Sequence, residues 1–137
     1  MKNKQPASLA ELDNHVVAPL GALAPDALLR WAQAEGQRYV QVDLTNLRTR
    51  KAALQAIGKA FGFPRWYGAN LDALYDCLTD LAEAQAAPGY VVLLSGFGEK
   101  APREGLNAED RALLLDVFRD AAAHLAGGAF SLRVFFA

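Results

Sequence analysis

The sequence is poor in the residues that most chemistry relies on. It has a single cysteine, Cys77, and only two histidines, His15 and His124. One thiol cannot close an internal disulfide, so the fold must be held by its core, and a reducing, cytoplasmic setting is expected. No apolar run reaches the roughly 18 residues that a membrane span needs, so no membrane contact is expected. The start, Met1-Lys2-Asn3-Lys4-Gln5-Pro6, has no apolar stretch of the secretory kind. His-x-x-x-His, Cys-x-x-Cys and phosphate-loop patterns are all missing, so neither a metal nor a cofactor is expected. An excess of one charge is missing as well. The 14 Lys and Arg against 15 Asp and Glu leave a formal net charge of −1, which argues against a general attraction to nucleic acid.

What remains suits one small domain. The 137 residues are 53% hydrophobic, enough for a single core. Pro25 opens a helix to about residue 35, with Leu28, Leu29 and Trp31 on its buried side and Gly36 as its stop. Residues 39–44 mix β-branched and aromatic side chains in a strand-like run. Thr49 caps a helix to about residue 61, closed by Gly62 and Pro64. Asn70 caps the next, to about residue 84. The run Tyr90-Val91-Val92-Leu93-Leu94 is apolar throughout, as in a strand covered on both faces. A loop over residues 95–107, a helix over 108–125 and a strand over 130–136 complete the chain. Alternation of strand and helix predicts an α/β fold, a three-stranded and mainly parallel sheet with helices packed on it. Residues 39–137 form the main domain, and residues 1–38 an N-terminal extension packed on it. That extension can add a helix or, around Val16 and Val17, an edge strand. Pro19 keeps such a strand out of the sheet centre.

Charge is sorted along the middle of the chain. Arg48, Arg50, Lys51, Lys59 and Arg65 are followed by Asp72, Asp76, Asp80 and Glu83. At about 100° per residue, Leu71, Leu74, Cys77, Leu78 and Leu81 gather on one face of the helix that Asn70 starts. Asp72, Tyr75, Asp76 and Thr79 gather on another. Like charges one turn apart repel by a few tenths of a kcal/mol. Asp72 sits in the first turn, where the helix dipole offsets this, but Asp76 sits deeper. Three readings stand at this point. The pair is an ordinary solvated face, or a docking patch for a Lys- and Arg-rich partner, or a Mg²⁺ or acid–base pair. The last has no other residues to support it. Cys77 falls on the core face and reads as a small buried hydrophobe.

The stretch Pro64, Trp66-Tyr67-Gly68, Asn70-Leu71-Asp72-Ala73-Leu74-Tyr75-Asp76-Cys77-Leu78-Thr79 closely resembles the signature helix of the barstar family, inhibitors of the ribonuclease barnase. The similarity extends more loosely from Tyr39 to Ala137. It implies that this helix and the loop before it plug a nuclease active site. By position, Asp76 is then the central acid and Asp72 the supporting one. Trp66 stacks at the rim, Tyr75 and Thr79 flank the acids, and Asp120 adds a second acidic contact. The implied partner is a basic ribonuclease or nuclease toxin, bound by a monomeric, non-enzymatic immunity protein that does not itself touch nucleic acid.

Some positions depart from the family pattern. Tyr75 and Trp66 exchange one aromatic for another. Leu81 stands where barstar has a further tryptophan. Arg65 brings positive charge beside the acids. The loop at 96–107 and residues 1–38 lie outside the signature. Arg65, the missing aromatic at Leu81 and the near-neutral net charge point to the alternative function, a barstar-fold adaptor or regulatory module that no longer inhibits a ribonuclease.

Overall fold

The structure is a computed structural model that describes residues 6–84, 87–97 and 105–137. A 3-10 turn, Leu9–Glu11, precedes β1, His15–Pro19. Then follow α1, Pro25–Ala34, and β2, Arg38–Asp43. Two helices come in succession, α2, Arg50–Phe61, and α3, Leu71–Ala84. The chain ends with β3, Gly89–Ser95, α4, Ala108–Leu125, and β4, Ser131–Phe136. The expected loop over 95–107 is described only at its two ends, because residues 98–104 lie outside the described residues.

Local chemistry accounts for the helix limits. Thr49 Oγ1 accepts a hydrogen bond from Ala52 N, at 3.1 Å, and Asn107 Oδ1 accepts one from Asp110 N, at 2.7 Å. Each satisfies an N–H that the helix cannot pair itself. Gly62, in the left-handed region at φ 71°, ends α2.

The sheet has four parallel strands, in the order β1-β4-β3-β2, and not three. The fourth is β1, from the N-terminal extension. It lies at the edge with Pro19 as its last residue, where a missing N–H interrupts no ladder on the open side. The sheet is covered on both faces. Strand residues alternate between them with period two. Val40, Val42, Val92, Leu94, Leu132 and Val134 pack under α2, α3 and α4. Val91, Leu93 and Phe135 pack with Leu9, Leu28 and Ala32 of the extension. In α1, Leu28 and Ala32 define the buried line. Leu29 is turned about 100° away from it and is 37% exposed, contrary to the expectation that it lines the core.

One charge is buried in the second layer. Arg133, in β4, is 3% exposed. Its Nε donates to Asp13 O, at 3.0 Å, and its Nη2 to Asn14 Oδ1, at 3.0 Å, and Leu9 O, at 3.4 Å. Its Nη1 donates to Gln37 Oε1 and Ser131 Oγ, each at 3.2 Å. All of the donors a guanidinium owns are thus used. Burial lowers its pKa, and Glu35 offsets part of that fall.

Candidate functional site

The site begins in the turn between α2 and α3. Phe61 stacks on Phe63 with centroids 5.1 Å apart, and Phe63 meets Tyr67 at the same separation. Tyr67 Oη donates to Leu54 O, at 2.9 Å, which pins the turn to α2. Burial pushes the Tyr67 phenol up to about 12. Trp66, between these anchored rings, projects outward and is 63% exposed. Ala69 takes a φ of 50°, rare for a residue with a Cβ, and sets the direction of the next helix. Asn70 Oδ1 then accepts from Ala73 N, at 2.8 Å, and starts α3.

The faces of α3 divide as its spacing predicts. Leu74, Cys77 and Leu78 are buried, and Leu71 and Leu81 are half-buried beside them. Asp72 and Asp76 are both exposed, one turn apart. Tyr75 is half-buried, its ring edge-on to His124 of α4 with centroids 6.1 Å apart. Asp120 is exposed on α4, one turn before that histidine. Thr79 is less available than its position suggests. Its hydroxyl bonds the carbonyls of Tyr75 and Asp76, each at 3.1 Å, within its own helix. Burial raises the pKa of Cys77, and Asp80 and Asp76 add to the rise.

No ion pair among the described residues involves Asp72, Asp76 or Asp120. Arg50 pairs with Asp110, at 3.5 Å, and Arg119 with Asp116, at 3.4 Å. The Arg50–Asp110 pair joins α2 to α4 across 60 positions, and no local pattern signals it. It borders an open cleft of about 670 Å³ that also takes in Lys51, Asn70 and Asp72. Two cations, one of them paired with Asp110, thus line the same cleft as Asp72, a combination absent from the wheel of α3. Among the described residues no group of three or more His, Cys, Asp or Glu is placed to hold a metal ion. No described helix is long and apolar enough to cross a membrane. The arrangement offers carboxylates to cations and an exposed indole to an apolar or planar group.

Residues 37–137 match the family model described as Barstar (barnase inhibitor). Among solved structures, the chain is similar to the ORC2 protein of Aeropyrum pernix, determined as ADPNP–ADP complexes. The two share 21% identity with a TM-score of 0.52, over 88% of this chain and 34% of that one. The chain thus spans about a third of that protein's length, and the likeness is one of fold alone. No curated protein matches it.

Proposed function

The chain belongs to the Barstar (barnase inhibitor) family, and from that premise we propose that it is a cytoplasmic immunity protein. It binds a ribonuclease or related nuclease toxin and occludes the enzyme's cationic active site with the acidic face of α3. The carrying observation is that Asp72 and Asp76 are exposed one turn apart and held by no ion pair among the described residues. Their mutual repulsion becomes attraction when a cluster of Lys and Arg approaches. Two carboxylates at that spacing sit where consecutive phosphates of an RNA strand would sit. Asp76 is the central acid, Asp72 supports it, and Asp120 extends the contact onto α4. Trp66 and Tyr75 supply amphipathic rings at its rim. Thr79, its hydroxyl engaged by its own helix, contributes shape more than hydrogen bonding. In this reading the protein acts as a monomer and performs no reaction. Residues 39–137 carry the binding face, and the described part of residues 1–38 adds the edge strand and packs on the face of the sheet behind it.

The test is inhibition of RNA cleavage by small basic microbial ribonucleases, barnase among them. The wild-type chain should inhibit at least one. Asp76→Ala should weaken that complex by about 2 kcal/mol, the scale of a charge-assisted contact, with an unchanged melting temperature. Inhibition that survives Asp76→Ala undiminished sinks the plug. A second reading, the adaptor that no longer inhibits, is favoured by Lys51, which lines the same cleft as Asp72, and by exposed Arg65 next to Trp66 in the sequence. Those cations would repel a ribonuclease's own. Failure to inhibit any member of the panel, by a protein that is folded, selects that reading.

A further inference from the structure

Where α2 ends, and along the last two turns of α3, the surface opens into a groove of about 430 Å³. Its walls include Phe63, Trp66, Leu81 and Ala84, and Arg38 and Asp80 line it as well. Trp66 is the most exposed large hydrophobic of the described residues, yet its turn is anchored by the Tyr67 hydrogen bond. An exposed aromatic on an anchored turn is a partly preformed contact, because the backbone that carries it has little freedom left to lose on binding. The two charges are exposed, and no ion pair among the described residues involves either. An apolar trough rimmed by unpaired charge is the anatomy of an interaction site.

The groove is continuous with the acids. Asp80 follows Asp76 by one turn of α3, and Trp66 belongs to both regions. A partner that covers Asp72 and Asp76 therefore reaches the groove without further rearrangement. We propose that this groove receives an aromatic or aliphatic side chain of the same protein partner, next to a basic residue that pairs with Asp80. Aromatic walls favour an aromatic guest, through tilted or offset ring contacts. Of the two charges that line the groove, Arg38 belongs to β2 and Asp80 to α3, where it extends the negative field of Asp72 and Asp76, so a basic residue of a partner that covers those acids meets Asp80. The identity of the partner rests on the inhibitor reading, whereas the chemistry of the groove rests on its own lining.

Two measurements separate these. In the first, the full-length protein is titrated with acetyl-Phe-Arg-amide and with acetyl-Phe-Glu-amide and followed by NMR. The first peptide should give saturable shifts at Phe63, Trp66, Leu81 and Ala84. The second should bind about tenfold more weakly, a difference near 1.4 kcal/mol. Ala84→Trp, at an exposed position, should fill the groove and abolish the shifts, and Glu109→Ala, at an exposed position of α4 outside the groove lining, should leave them unchanged. Absence of saturable shifts, or equal shifts with both peptides, overturns the proposal whether or not the chain inhibits a nuclease. In the second, Ala84→Trp is compared with wild type against an inhibited ribonuclease. Unchanged affinity in that assay, alongside a loss with Asp76→Ala, overturns the groove and leaves the inhibitor reading in place.

Discussion

The ring of Tyr67 occupies the space that a side chain at Gly58 would need. A Cβ added there would stand 2.7 Å from Cδ2 of the ring. Glycine inside a helix ordinarily costs about 1 kcal/mol relative to alanine. Here its bare backbone lets the turn that carries Trp66 lie directly on α2, with Tyr67 Oη bonded to Leu54 O. The exposed indole of the candidate site is thus held in place by an atom that α2 does not have.

Gly58→Ala should therefore destabilise the protein, by about 1–3 kcal/mol, in spite of alanine's better helix propensity. Urea unfolding measures the loss, and a change in Trp66 emission would report displacement of the turn. A stabilised variant would mean that the ring is not held against the helix.

Arg133→Met should cost roughly 2–4 kcal/mol. The change leaves Asp13 O, Asn14 Oδ1 and Gln37 Oε1 without the donor that Arg133 supplies, and Leu9 O keeps only Leu12 N. Three of the lost contacts, to Leu9, Asp13 and Asn14, fall in the first 14 residues, so the amides there should lose hydrogen-exchange protection together. Because the acids of α3 lie on the opposite side of the sheet, partner binding by the folded variant should persist.

Alkaline pH should weaken the fold through Tyr67. Its pKa is raised from 10.0 to about 12, so the native state holds a proton that the unfolded chain releases. This contribution is fully present below pH 10 and is lost as pH climbs toward about 12. Tyr67→Phe should flatten that part of the stability profile. Tyr39, also raised, by burial and then by Asp26, should keep some slope in the variant. A profile unchanged by the substitution would show that Tyr67 is not the group responsible.

Cys77 should resist alkylation at neutral pH. The thiolate is the reactive form, and burial together with Asp80 and Asp76 disfavours it. Modification by iodoacetamide should be slow in the native protein and should accelerate with added urea, in step with unfolding. Rapid labelling without denaturant would contradict the buried placement.

Much of this architecture was legible before any coordinates. Thr49 and Asn70 announced the starts of α2 and α3, because a side-chain oxygen at that point satisfies an N–H that nothing else can reach. The division of α3 into a buried leucine face and an acidic face followed from its period alone. Leu29 was misread for a reason of the same kind. A wheel ranks residues by mutual proximity, but it has no knowledge of how much of the helix the sheet covers.

Local interactions act over three or four residues, so the order of amino acids was sufficient for helix limits, the signature at 64–79 and the outward aim of Asp72 and Asp76. Packing acts between residues far apart in the chain, and its results had no local trace. These include the insertion of β1 beside β4 as a fourth strand, the Arg133 contacts across about 120 positions, the approach of Arg50 to Asp110, and the groove between Trp66 and Leu81. Each depends on which surfaces the core brings together when apolar area leaves water, and that choice is made by the whole chain at once.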